Sequence, residues 1–264
     1  MSPIIKAVNT DGTPALIGMI HLEALPGAPN ATLHLDEIVR RAAEDARVLA
    51  DAGFHGIMVE NYGDTPFFKS TVPTITVAAM TRCALAIRHS APDVKLGINV
   101  LRNDGLSALN IAHVVGAHFI RVNVLAGAMV TDQGLIEGCG AELMRHRRYL
   151  DADIEVWADV GVKHATALGS TNLNHLAQDT SKRGLADALI VSGTATGVPT
   201  RTDDIATIRR AVPNCSLVIG SGAQTDTVAG LDADAIIVGT ALKVNGRIHP
   251  QHARAFADAA GQRR

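Results

Sequence analysis

Eight short runs rich in β-branched and aliphatic residues recur along the chain, at 15–22, 56–61, 94–100, 119–124, 154–160, 188–192, 216–221 and 235–239. Ala-rich stretches with helical apolar spacing lie between most of them, among them 36–52, 73–90, 104–115 and 203–211. Strict β/α alternation implies parallel strands, because a strand can reach a parallel neighbour only by a crossover, usually helical. All eight runs are of similar strength and no GxGxxG follows the first, which favours a single closed (β/α)8 TIM barrel over an open doubly wound sheet. The 264 residues suit one such barrel, which typically takes about 250. No linker or composition shift divides the chain, so residues 1–264 are expected to form one domain. Aromatic residues make up 3% of a chain that is 47% hydrophobic, a balance that fits aliphatic strands under Ala-rich helices.

The same composition excludes several function classes. A net charge of −2, no basic run and few stacking rings argue against nucleic acid as a partner. The first ten residues lack an apolar h-region, and every apolar stretch is interrupted before about 18 residues, so neither a signal peptide nor a membrane span is expected. A soluble cytoplasmic protein follows, and symmetric self-association into a homo-oligomer is expected because barrels of this kind commonly do so. Cys83, Cys139 and Cys215 are scattered without CxxC spacing and read as reduced thiols. Cys139 alone falls in an expected loop near the site and is the one thiol placed for chemistry.

Loop lengths indicate the working face. The connections 23–35, 62–72 and 125–140 follow strands one, two and four and are long, whereas the returns from helix to strand at 52–54 and 115–118 are tight. Elaboration on one side only points to the C-terminal face, where strand-to-helix loops build the site and cover it.

Side-chain parity then selects residues. Strand side chains alternate between the helices and the barrel axis. In the run 119–124 the apolar set should face the helices, which turns Arg121 and Asn123 inward. The same parity puts Met58 and Glu60, Gly97 and Asn99, Trp157 and Asp159, and Met19 and His21 on the axis. His21, Glu60, Asn99, Asn123 and Asp159 would ring the top, with Arg121 one layer below. Buried charges must pair, bind a ligand, or both. Arg121 paired with Glu60 or Asp159 is the purely structural reading. Asp159 or Glu60 suits a general base. A divalent metal held by the carboxylates with His21 is a further reading, although no spacing motif points to one; no other cofactor is expected. Just past strand five, Lys163 and His164 reach the rim, where Lys163 can neutralise an anion or form a Schiff base.

The final quarter is rich in small residues at strand ends: 192–197 with Gly193, Thr196 and Gly197, then Gly220-Ser221-Gly222, then Gly239-Thr240. Glycine permits close backbone approach, and successive N–H groups there form an anion nest suited to phosphate. Strands seven and eight begin about 18 residues apart, which leaves little room for a helix, as in barrels that bind phosphate after those strands. Lys243, Arg201 and Lys163 are the candidate counter-charges.

The motifs GMIHL (18–22), LPG (25–27), VENYGD (59–64), GINVLRND (97–104), FIRVNV (119–124), TDQG (131–134), ADV (158–160), VKHA (162–165), TG (196–197), GSG (220–222) and VGT (238–240) together resemble the BtpA/SgcQ family across nearly the whole chain. Tyr62 stands where Phe is usual in that family. The resemblance implies a ribulose-phosphate-binding-barrel-like fold without a secure general reaction. Two functional readings follow. In the first, the chain is an enzyme that isomerises or cleaves a small phosphorylated sugar or related metabolite. Asp159, Glu60, Lys163 and His21 would then be catalytic, Asn99, Arg121, Asn123 and His164 would bind substrate, and the glycine segments would hold phosphate. In the second, which the family's name suggests, the barrel is a non-catalytic assembly or stability factor for a photosystem-type complex.

Overall fold

The computed structural model describes residues 2–8, 12–161, 165–169, 172–193 and 200–261. Its elements in chain order are α1 (Pro3–Val8), β1 (Ala15–His21), α2 (Leu35–Asp51), β2 (Gly56–Glu60), α3 (Thr74–Ser90), β3 (Lys95–Asn99) and α4 (Gly105–Val115). There follow β4 (Phe119–Val122), β5 (Ala128–Thr131), β6 (Gly134–Glu137), α5 (Gly140–Tyr149), β7 (Glu155–Val160), β8 (Ala165–Ala167) and α6 (Leu173–Gln178). The last third holds β9 (Ala188–Val191), α7 (Thr202–Ala211), β10 (Ser216–Ile219), β11 (Ala235–Val238), β12 (Lys243–Val244), β13 (Arg247–Ile248) and α8 (Pro250–Gly261).

Eight of these strands pair in parallel and close in the order β1-β11-β10-β9-β7-β4-β3-β2, the TIM barrel expected from the alternation. Between β10 and β11 the chain makes only a 3-10 turn, Val228–Gly230, in keeping with their close spacing. Every second barrel strand is preceded by a residue that clamps its neighbour. His55 Nδ1 accepts from Leu16 N at 3.0 Å and His118 Nδ1 from Leu96 N at 3.2 Å. Asp187 Oδ2 accepts from Val156 N at 2.8 Å and Asp234 Oδ2 from Leu217 N at 2.7 Å. Each clamping residue also donates its own backbone N–H to the carbonyl of the residue it clamps. The amide near the start of every other barrel strand, β1, β3, β7 and β10, is thus satisfied four times in the same way.

Apolar side chains pack in two shells. One lies between strands and helices; the other fills the barrel with Ile17, Met19, Met58, Phe119, Trp157, Ile190, Val218 and Ile237. Phe119 stacks on Trp157 with ring centroids 4.0 Å apart. A Cβ on Gly97 would lie 2.2 Å from the Phe119 ring, so the absent side chain on β3 makes room for the aromatic pair. Phe119 therefore shares the inward face of Arg121, a correction to the reading that placed the whole apolar set of 119–124 against the helices.

Two elements were not expected from the sequence. Helix α1 caps the N-terminal end of the barrel and inserts Ile5 into the interior, held by Glu155, which accepts from Ser2 Oγ at 2.5 Å and from Ile4 N at 2.9 Å. The long connection after β4 is an antiparallel hairpin, β5 and β6, joined by β8 in a three-stranded sheet. It seats Met129 and Ile136 on Val124.

Candidate active site

Parallel register brings the polar strand ends side by side: His21 aligns with Glu60, Glu60 with Asn99 and Asn99 with Arg121. The expected ring exists at the C-terminal end and divides into two groups. His21 Nε2 lies 3.2 Å from Glu60 Oε1, and its ring stacks on Tyr62 with centroids 4.4 Å apart. In the second group Arg121 donates from Nε and Nη2 to the two oxygens of Asp159, at 2.8 and 2.7 Å. Asn123 Nδ2 adds a bond to Asp159 Oδ2 at 3.0 Å. Of the two pairings open to Arg121, the structure adopts the one with Asp159. Burial opposes the Arg121 charge, but attraction and hydrogen bonding from Asp159 outweigh it and hold its pKa above the ordinary arginine value.

Asn99 is buried, and its Nδ2 donates to Arg121 O at 3.2 Å and to Asn123 Oδ1 at 3.5 Å. Both partners are acceptors, which fixes the amide orientation. Its Oδ1 is left buried with no partner among the described residues, an acceptor whose hydrogen bond is unmade.

A pocket of about 70 Å³ connects His21, Glu60 and Arg121 to the small-residue strand ends, whereas Asn99, Asn123 and Asp159 do not line it. His21, Glu60, Tyr62 and Arg121 line one side; Gly220, Ser221, Gly222, Gly239 and Thr240 line the other. Close approach favours glycine here: a Cβ on Gly220 would lie 2.5 Å from Ile190 Cγ2, and one on Gly239 would sit tightly, 3.3 Å from Met19 Cβ. Gly222 has φ +76°, which favours glycine. A 3-10 turn, Thr240–Leu242, begins directly after β11. Gly193 is near but does not line the pocket; its N–H donates to Ser221 Oγ at 3.3 Å. Lys163, His164, Thr196 and Gly197 lie outside the described residues.

His21, Glu60 and Asp159 do not form a metal-ligand set. Asp159 is committed to Arg121, and no group of three His, Cys, Asp or Glu side chains suited to a metal occurs among the described residues. Burial pushes the Cys139 thiol up to about 11, which leaves almost no thiolate at neutral pH and argues against the chemistry considered for it.

Sequence reasoning passed over the residues that hold the rim. Asn61 Oδ1 accepts from Leu101 N at 2.7 Å, and its Nδ2 donates to Asp64 Oδ2 at 3.0 Å. Asp64 Oδ1 takes Leu25 N at 2.8 Å, so the loops after β1, β2 and β3 are tied together. Gly63 lets two of them touch, since a Cβ there would lie 2.3 Å from Ala24 N. Asn103 exchanges two bonds with the Val124 backbone, while Asp104 caps α4 through Ser107 N and also accepts from Val72 N. Tyr62, the ring beneath His21, stood in a quoted motif without a role. The VENYGD and LRND motifs were the signal that could have revealed these contacts.

A family model described as the BtpA family matches residues 13–262. The chain belongs to the BtpA family. Among BtpA-family relatives, it is 45% identical over 250 residues to the Photosystem I biogenesis protein BtpA of Synechocystis sp., covering 92% of this chain and 87% of that one. It is also 47% identical over 235 residues to an uncharacterized protein of Thermococcus kodakarensis, covering 88% of each. Among solved structures, the phosphoribosyl anthranilate isomerase of Thermus thermophilus is similar with a TM-score of 0.57 at 12% identity, over 94% of this chain and 99% of that one. At that identity the likeness is one of fold. No described helix of this BtpA-family chain is long and apolar enough to cross a membrane.

Proposed function

We propose that the pocket at the C-terminal face binds a small phosphorylated sugar or related metabolite and carries out acid/base chemistry on it, of the isomerase or lyase type. One observation supports this above the others: a single pocket is lined both by a His–Glu pair and by the glycine-rich ends of β10 and β11. Backbone N–H groups around Gly220–Gly222 and Gly239–Thr240 would take the phosphate. Glu60, whose Oε1 lies 3.2 Å from His21 Nε2 in the pocket wall, is the better base, because both oxygens of Asp159 are used on Arg121 and Asn123. Asp159 then serves to aim Arg121, whose Nη1 makes no hydrogen bond among the described residues, at the ligand. The orphaned oxygen of Asn99, with Asn123, would orient hydroxyls. Lys163 and His164, which follow β7, remain candidates for the rim. The phosphoribosyl anthranilate isomerase barrel is named for a phosphorylated substrate, which agrees with the reading without carrying it. A cytoplasmic, self-associating enzyme is the form the reading takes.

The test is thermal unfolding with millimolar inorganic phosphate and a panel of pentose and hexose phosphates. Specific ligands should raise the midpoint by mass action, and Glu60→Gln should abolish turnover while sparing binding. No shift with any of them would end this reading. The name of the Synechocystis relative favours a second one, an assembly factor that uses the barrel as a binding module. Recovery of a stoichiometric protein partner, unaffected by Glu60→Gln and Gly222→Val, would support that alternative.

A further inference from the structure

Tyr62 opens the 3-10 turn Tyr62–Asp64 that follows β2. The backbone that carries it is fastened on both sides. Gly63 N donates to Leu22 O at 3.0 Å, after β1, while Asn61 and Asp64 bind Leu101 N and Leu25 N in the loops after β3 and β1. The ring on this rigid mount is 42% exposed, and its hydroxyl makes no hydrogen bond among the described residues. An aromatic ring left this far in water gives up much of the gain that burial would bring. What it does touch is the His21 imidazole, stacked on it at 4.4 Å between centroids with the planes 21° apart. Both rings line the pocket.

His21 is the last residue of β1, and its side chain is 20% exposed, so a rotamer turned toward solvent is open to it. In the observed rotamer Nε2 lies 3.2 Å from Glu60 Oε1. The same edge of the ring faces the end of β11: a Cβ on Gly239 would lie 3.5 Å from His21 Cε1 and 3.6 Å from Nε2, so the Gly239 α-hydrogen in that direction points at it. Glu60 fixes one atom and leaves the imidazole free to pivot; a flat ring against its face removes that freedom. Resting on the reading of the pocket as an acid/base site, we propose that Tyr62 is a positioning residue: its ring holds the His21 imidazole in the pocket wall, with Nε2 between Glu60 and the end of β11, and so keeps proton transfer to or from a ligand on one line. Orientation of this kind is worth rate without any new contact to the ligand. The ring carries the role and the hydroxyl does not. Stacking favours the held rotamer by roughly two- to tenfold beyond area burial.

The experiment is NMR of the full chain carrying 13C,15N-histidine, with the His21 signals identified by their loss in His21→Gln. The His21 ring protons should show cross-peaks to the Tyr62 ring and to a Gly239 α-hydrogen. Tyr62→Leu should weaken the Gly239 cross-peak and move the Nε2 resonance away from its parent position, and Tyr62→Phe should restore both. Turnover of the pentose and hexose phosphates named above should fall roughly two- to tenfold in kcat for Tyr62→Leu, with KM and the affinity for inorganic phosphate close to the parent's. Absence of the Tyr62 cross-peak in the parent overturns the proposal, and this readout needs no variant to fold. So does a Gly239 cross-peak that Tyr62→Leu leaves unchanged, or a loss confined to KM, which would make Tyr62 a wall of the ligand site instead. The cross-peaks require no ligand. A barrel that binds none of the phosphates therefore ends the phosphometabolite reading while the cross-peaks still decide whether Tyr62 holds His21; phosphate binding with an indifferent His21 ring sinks only the role given to Tyr62.

Discussion

Asp159→Asn should be among the most destabilising single changes in this barrel. The Asp159 side chain is 1% exposed and that of Arg121 7%, so the guanidinium has little access to water in which to re-solvate. The substitution removes the counter-charge and turns one of two charge-assisted acceptors into an amide N–H facing an Arg121 donor. Breaking a buried pair from one side costs about 3–5 kcal/mol because an uncompensated charge stays behind. Glu60 still attracts Arg121, which places the expectation at the lower end, about 3 kcal/mol. For a chain of this size that is a fall of roughly 10 °C in Tm. The reasoning also requires the loss to come from the stranded cation and not from missing contacts. Arg121→Met combined with Asp159→Leu should therefore recover most of it, since apolar replacement of a buried pair is often neutral or better. Urea unfolding of the parent, Arg121→Met, Asp159→Leu and the double variant measures the coupling. If Asp159→Asn lies within about 1 kcal/mol of the parent, or the double variant is as unstable as the single one, the pair is not the closed, desolvated unit described here.

Two further outcomes concern the N-terminal face. Burial, with repulsion from Lys95 and Arg88, holds the His118 pKa down to about 4, against 6.5 for the free side chain. Only the neutral ring can accept from Leu96 N, so the unfolded chain takes up the proton first. Stability should be complete above pH 6.5 and decline as pH falls toward 4. His118→Asn keeps an acceptor that does not titrate and should flatten the decline seen in urea titrations across that range; an unchanged slope would assign the acid sensitivity elsewhere. Glu155→Ala should strand the Trp157 Nε1–H that Glu155 accepts at 2.7 Å and release the Ser2 and Ile4 contacts of α1, costing about 1–3 kcal/mol per orphaned donor. Limited proteolysis should then cut within the first eight residues before the barrel is touched, and a cleavage pattern identical to the parent's would show that α1 does not depend on this carboxylate.

The two-residue period of a strand explains why so much of the ring was legible. A slip of one position would turn Met19, Met58 and Trp157 outward along with His21, Glu60 and Asp159, so the apolar members of each pair fixed the direction of the polar ones. Parity says nothing about partners across strands, and both Glu60 and Asp159 satisfied it as the mate of Arg121. The choice depends on strand stagger: Arg121 lies level with Trp157, which puts Asp159, two residues on, within reach of a long side chain directed up the barrel. The same limit hid the elements whose stability is not local. Helix α1 has six residues, too few to form alone, and exists because Glu155 and the barrel interior receive it. The strands β5 and β6 have four residues each and sit among glycines, so their pattern resembled a loop until Val124, Ala165 and Ala167 supplied the surface that Met129 and Ile136 cover. What could be read from the chain was therefore what one segment determines for itself, and the orphaned Asn99 oxygen and the unpartnered Lys243 amine emerged only when several segments met. Among the described residues these are two of only four buried side-chain polar atoms without a partner, and unpaired polarity of that kind is an exception that asks for a functional explanation.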